Sequence, residues 1–257
     1  MARMMEIRPR TAAAALVLLL CLPMPSYAFD FGGWDAILKK NTKPASYGGI
    51  AYTGVDYAAV RTSPQFNALI AGLASFSPED LHGRDETLAF WINVYNIFAV
   101  KLVLEYYPLE SIKDVGNIFS PAWVVKAGTV GGKEYSLDDI EHKILRPMKE
   151  PAIHFAIVCA SVSCPDLRGE AYTASALKDQ LKSQIDRFLL NGGKGMRVDR
   201  ADKTVHLSKI FDWYEKDFAA AGGIIAFLNC ELGGRRNIPP DFDIEYLPYN
   251  WDLNTVR

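Results

Sequence analysis

The strongest periodic pattern in the chain covers residues 85–107. It holds no glycine or proline, and Pro108 closes it. Trp91, Val94, Tyr95, Phe98, Leu102 and Tyr106 recur at spacings of three and four, which predicts a helix. Most of its other face is apolar as well, so this helix is expected near the centre of the core. Further helices are predicted over 29–40, 63–74, 173–190, 208–220 and 224–232. Another starts at Ser77-Pro78-Glu79-Asp80, with a cap residue, a proline at the first helical position and acids in the first turn. Residues 137–145 read as a helix with Ser136 as N-cap and Asp138 and Asp139 in its first turn.

Extended elements are shorter. Residues 123–129 and 133–136 read as a hairpin turning at Gly131-Gly132, and 195–198 with 204–207 as a second hairpin. Residues 242–247 read as a strand and 55–60 as an extended piece, with a turn-rich link before it through Pro44, Gly48 and Gly49. The apolar run 153–167, IHFAIVCASVSCPDL, reads as a buried strand stopped by Pro165. Helices mixed with small hairpins, without regular βαβ alternation, predict an α+β fold. The expected architecture is one compact domain over 29–257, a central buried helix with helices around small antiparallel hairpins.

The first residues change the picture of the cysteines. Arg3, Arg8 and Arg10 precede an unbroken apolar run at 12–22, and Ser26-Tyr27-Ala28 offers small residues for cleavage. This is the layout of a secretory signal peptide. The apolar core is shorter than the about 20 residues a permanent span needs. The leucines around Cys21 do not suit lipid attachment. Cleavage after Ala28 and a periplasmic or secreted protein are expected, with no later segment serving as a membrane span. The mature chain then keeps Cys159, Cys164 and Cys230. Export favours disulfides, yet an odd number leaves one thiol without an internal partner. The formal charge of −2 gives no electrostatic case for nucleic acid or an anionic membrane. An unidentified small molecule, peptide or protein is the expected partner.

Candidate chemistry gathers in three places. Asn93 and Asn96 interrupt the apolar central helix, and a buried amide left unpaired costs about 1–3 kcal/mol. Either a loop backbone satisfies them, the more frequent arrangement, or they line a polar pocket. Glu141-His142 places an imidazole beside a carboxylate, a possible positioned base or simply a helix residue favoured by the macrodipole. In a regular strand His154 and Cys159 would face apart. Cys164 lies beyond, in a polar loop with Ser161, Ser163, Asp166 and Arg168, from which a thiol can curl back towards His154. A thiol beside an imidazole or a cation ionises more readily, which makes Cys164 the candidate nucleophile. A Cys159–Cys164 disulfide competes evenly with it and would stabilise by only about 2 kcal/mol. Cys230 reads as a buried inert thiol. Asp217 is placed to pair with Arg168 or with a histidine at a pocket wall. A metal site from Glu141, His142, His154 and a cysteine lacks the usual spacing, and no cofactor-binding motif is present, so neither metal nor cofactor is expected.

Four ordered segments then carry a resemblance. FWINVYN at 90–96, SLDDIEH at 136–142, IHFA at 153–156 with Ser163-Cys164-Pro165, and SKIF at 208–211 with Trp213-Tyr214 and Asp217-Phe218 resemble the domain of unknown function 547 family. The resemblance spans about 88–218. It implies an exported bacterial protein and a meeting in space of Asn93, Asn96, Glu141, His142, His154 and Cys164, and it carries no reaction. Two functions follow as expectations. One is a thiol hydrolase or acyl transferase with Cys164 as nucleophile, His154 or His142 as base, and Asn93 or Asn96 orienting the base or holding an oxyanion. The other is a non-catalytic binding or scaffolding domain stapled by Cys159–Cys164.

Overall fold

The apolar residues on both faces of the central pattern belong to a 23-residue helix, Arg84–Tyr106, whose middle is enclosed on all sides. Its acids Asp85 and Glu86 sit in the first turn, where they suit the helix dipole. By length and composition alone this helix is long and apolar enough to cross a membrane, contrary to the expectation that no such segment follows residue 28. Here 89% of that apolar window is buried inside the protein. The computed structural model describes residues 28–117, 120–234 and 237–257. The expected signal sequence lies almost wholly outside the described residues.

In chain order the elements are α1 (Gly32–Asn41), β1 (Thr42–Tyr47), β2 (Ile50–Val55), α2 (Tyr57–Arg61), α3 (Pro64–Ser75), α4 (Arg84–Tyr106), β3 (Gly116–Asn117), β4 (Ser120–Pro121), β5 (Lys126–Val130), β6 (Lys133–Ser136), α5 (Leu137–Ile140), α6 (Leu177–Leu189), β7 (Met196–Asp199), β8 (Thr204–Leu207), α7 (Lys209–Trp213), α8 (Ile224–Glu231) and β9 (Asp243–Tyr246). This is the α+β arrangement the patterns predict. Phenylalanines 155, 188, 211, 218 and 227 pack ring to ring beside α6 and α8. Such aromatic packing adds roughly 0.5–1.5 kcal/mol per pair beyond area burial.

Three local readings change. Residues 42–55 are a hairpin rather than a link, because Gly48 and Gly49 take φ of 57° and 80° and form its two-residue turn. The last strand, β9, runs parallel to β8, so not every sheet contact is antiparallel. Most consequential, 153–167 is not a strand. Pro151–Phe155 forms a 3₁₀ turn with Pro151 in its first positions and Glu150 capping the Ala152 N–H, and irregular chain follows. A continuous apolar run has no period to separate strand from helical turn, and Pro151 pre-sets a helical φ.

The α5 region has a related surprise. Ser136 and Asp139 form a reciprocal capping box at its start, as the sequence suggests. After Ile140 the helix widens into a π turn over Glu141–Leu145. Such turns often mark functional positions, because the extra residue rotates one side chain out of register.

Candidate functional site

Asn93 and Asn96 explain how the site is held open. The Asn93 amide donates to the Tyr172 carbonyl at 2.8 Å and accepts from the Tyr172 N–H at 2.9 Å. Asn96 does the same to the next layer, donating to the Ala156 carbonyl at 2.9 Å and accepting from the Val158 N–H at 2.8 Å. Both are backbone clamps from α4, and neither lines a cavity. Asn96 fixes the chain that leads into the cysteine loop. Asn96→Ala leaves two buried backbone groups unpaired and is expected to lower unfolding free energy by about 2–4 kcal/mol in urea titrations. An unchanged midpoint would refute the clamp.

The loop itself folds back on its own sulfurs. Ala160 takes a left-handed φ of 59°, which turns the chain straight after Cys159. The Cys164 N–H then bonds the Ser161 carbonyl at 3.1 Å, closing a tight turn. As a result the Cys159 N–H donates to the Cys164 sulfur at 2.9 Å, and the two Sγ atoms stand 3.0 Å apart. Both thiols are free. Cys159 Sγ also meets Ser161 Oγ at 3.2 Å and the Tyr249 hydroxyl at 3.5 Å. A strap at residues 250–254 stitches the loop down, through the Val162 N–H on the Asp252 carbonyl and the Asn254 N–H on the Ala160 carbonyl. From beneath, the buried Lys194 ammonium donates to the Cys164 carbonyl at 2.8 Å.

The two thiols ionise as a pair. With both thiols protonated Cys159 is the donor of the short contact, and once a proton is lost the charge rests on Cys159. Hydrogen bonding from Cys164, and then from Ser161 and Tyr249, outweighs its burial and brings it down to about 7. Cys164 goes the other way, pushed well up by enclosure and by the neighbouring sulfur. Cys159 is half-buried and Cys164 buried.

Both sulfurs border a cavity of about 390 Å³, together with Glu141 and His154. The π turn delivers Glu141 and the 3₁₀ turn delivers His154. His154 is buried, its ring stacked on Tyr214 at 4.0 Å between centroids. Its Nε2 bonds Asp217 Oδ2 at 2.8 Å, while its Nδ1 has no hydrogen-bond partner. Arg146 grips the same carboxylate with both arms, at 2.7 and 2.8 Å. Asp217 accepts the single Nε2 proton of the ring, and the Arg146 guanidinium on the same carboxylate keeps it from stabilising a second one. Burial dominates and lowers His154 to about 4, leaving a neutral imidazole with a free lone pair.

Glu141 is buried too. Its Oε2 accepts from Tyr95 at 3.4 Å, and its Oε1 has no hydrogen-bond partner. Burial raises its pKa. Tyr214, His142 and Arg146 favour the charge more weakly, Tyr214 lying close without a hydrogen bond of normal geometry.

Of the six residues singled out from the sequence, Glu141, His154 and Cys164 meet at the cavity, while His142 and the two asparagines do not border it. His142 is exposed, with Nδ1 on Arg146 at 2.7 Å. Cys159 joins the site because no regular strand separates it from His154. Neither sulfur makes a hydrogen bond to an imidazole nitrogen. Asp217 takes the histidine pairing, and Arg168 pairs with Glu170 instead. Cys230 is exposed, not buried. The pattern reading missed the walls. Tyr95 and Tyr214 look like core residues by spacing, Trp213 falls in the fourth resembling segment with no role attached, and Trp123, Tyr249 and Trp251 carry no motif. Their signal was the density of rings at 213–214 and 249–251. Among the described residues no cluster of three or more His, Cys, Asp or Glu side chains is placed to hold a metal ion.

Comparison with known families matches residues 78–189 to the family described as "Protein of unknown function, DUF547". That span holds the first three resembling segments and ends before the fourth, at 208–218. No curated protein and no solved structure matches the chain.

Proposed function

We propose that this chain, with its DUF547 segment at residues 78–189, is an exported thiol enzyme of the hydrolase or acyl-transferase class, with Cys159 as the attacking sulfur. The observation that carries the reading is the Cys159 sulfur at the wall of a cavity, 3.0 Å from Cys164 Sγ and 3.2 Å from Ser161 Oγ, contacts that bring it down to about 7. A thiolate present at neutral pH needs no base to take its proton. Cys164 keeps its proton 3.0 Å away and serves as the acid for the leaving group. The Tyr249 hydroxyl, 3.5 Å from the sulfur and accepting from Ser161 Oγ at 3.3 Å, has its own hydrogen to offer a developing oxyanion. His154, oriented by Asp217, offers its Nδ1 lone pair to the attacking water or acceptor. Export is proposed from the N-terminal sequence, with cleavage near Ala28 and a periplasmic or extracellular destination.

The 3.0 Å contact supports a second reading. Loss of two electrons and two protons to an oxidant would join the sulfurs as a disulfide and leave a stapled, non-catalytic binding domain. Alkylation separates the two. Treated with iodoacetamide at neutral pH without reductant, purified mature protein is expected to label first at Cys159. At pH 7 that thiol is about half ionised, against about 3% for an ordinary one, and after its lower intrinsic nucleophilicity an advantage of about threefold to fourfold remains over a free cysteine. The rate should follow an apparent pKa near 7. Peptide mapping that finds a quantitative Cys159–Cys164 bridge would leave the binding domain, and labelling that begins at Cys164 would reverse the assignment.

A further inference from the structure

Two acceptor atoms at the same cavity lack partners: Glu141 Oε1 and His154 Nδ1. Both side chains are more than nine-tenths buried, at 4% and 2% exposure. Buried acceptors without donors are uncommon, since each forfeits a hydrogen bond that water would give. The ionic balance is also uneven. Asp217 is neutralised by Arg146, and His154 is neutral. Glu141 is therefore the acidic group of the cavity without a partner of its own, and the basic side chains beside it are Arg146 and His142 on its own turn, Arg146 already engaged by Asp217 and His142 set against Arg146 and Asp138. Tyr95 and Tyr214, facing it from other elements, carry no charge, since burial raises both pKa values.

The remaining wall is aromatic. Trp213, Tyr249 and Trp251 form a continuous group, with Trp213 and Trp251 stacked at 5.5 Å and Tyr249 tilted against Trp251 at 4.5 Å. These rings already attract cations from the protein: Lys113 stands 4.7 Å from the Trp251 centroid, and Arg146 5.3 Å from that of Tyr214. An aromatic wall, a carboxylate and acceptors without donors are complementary to one chemistry, a cation bearing N–H groups.

We infer that the cleft binds the protonated primary amine of its substrate, an ammonium on an alkyl or peptide arm. Glu141 Oε1 takes the charge, His154 Nδ1 takes a second N–H, and the arm lies along Trp213 and Trp251. As the substrate class of the thiol enzyme this rests on the reading above, but binding itself does not involve the sulfur. A carboxylate ligand would face Glu141 and is excluded by like charge.

The test is a set of tryptophan-fluorescence titrations of the mature protein at pH 7 with n-pentylamine, 1-pentanol and pentanoate, which share a chain and differ in the head group. Pentylammonium is expected to bind at least about tenfold more tightly than the alcohol, and pentanoate more weakly than either. Glu141→Gln keeps the shape and should reduce the ammonium to the level of the alcohol. Trp213→Ala, at a position 45% exposed and safe for folding, should weaken ammonium and alcohol together. Equal binding of amine and alcohol, preference for pentanoate, no binding of any probe at 50 mM (about 1.8 kcal/mol), or an unchanged preference in Glu141→Gln would overturn the proposal. Cys159→Ser should retain the preference. Slow alkylation of Cys159 with the preference intact rejects the thiol chemistry alone, and rapid alkylation without the preference rejects the ammonium site alone.

Discussion

Asp166→Ala will lower the unfolding free energy by about 3–5 kcal/mol, the usual effect of removing one member of a buried ion pair. Asp166 lies under the cysteine loop and is 7% exposed. One oxygen accepts from the Thr53 N–H at 2.7 Å and from Lys194 at 2.8 Å, and the other meets Arg187 at 3.0 Å. Without the carboxylate, the Lys194 ammonium stays buried with only the Cys164 and Val162 carbonyls for partners. The reverse change is milder. In Lys194→Met the carboxylate keeps Thr53 and Arg187, so the loss should stay under about 2 kcal/mol. Urea unfolding with linear extrapolation gives both values, and the order is the decisive part. If Lys194→Met costs as much as Asp166→Ala, the carboxylate is not the hub. The aspartate variant should also speed alkylation of Cys164, because the ammonium that anchors its carbonyl loses its own anchor.

Acid will weaken the fold through His154. Its pKa is about 4 in the protein and 6.5 when free, so the fold favours the neutral ring. Below pH 6.5 the unfolded chain takes up a proton that the folded chain refuses. Stability is therefore lost as the pH falls from 6.5 and levels off near 4, by about 3 kcal/mol in all. Glu141 works in the opposite sense. Its raised pKa means the fold binds a proton first, which adds stability on acidification and hides part of the loss. The cleaner measurement is in Glu141→Gln, where that buried carboxyl no longer offsets the histidine effect. Urea midpoints from pH 7 to 4.5 should fall in that variant and stay nearly level when His154→Gln is added. A flat profile in Glu141→Gln alone would show that the buried ring is not the group responsible.

The sequence made some features plain and hid others for definite reasons. Helix α4 was legible because its spacing, its lack of glycine and proline and its closing proline all agree. The β5–β6 and β7–β8 hairpins were legible from their turn residues. The 153–167 run was not, since an element enclosed on all sides has no polar face to set a period. From that error came the view that His154 and Cys159 point apart, which left Cys159 out of the candidate site. Three of the four chemical groups at the cavity were still found, because carboxylates, imidazoles and thiols are rare in apolar surroundings. The asparagines stood out for the same reason, yet their task is to hold backbone. Rings at 95, 123, 213, 214, 249 and 251 gave no signal beyond their local density, because an aromatic residue that lines a cavity has the same spacing as one that fills a core.

The cavity is built from two sources. Tyr95, Glu141, His154, Cys159 and Cys164 all lie within the matched segment, whereas Trp213, Tyr214, Asp217, Tyr249 and Trp251 lie beyond it. The thiols and the ammonium acceptors come from one source, and most of the aromatic wall from the other. A protein that inherits this segment with different flanking sequence would keep the thiols and the acid while meeting a different arm. Transplanting residues 208–251 between such relatives would exchange their preference for the arm and leave the sulfur and the head-group site in place.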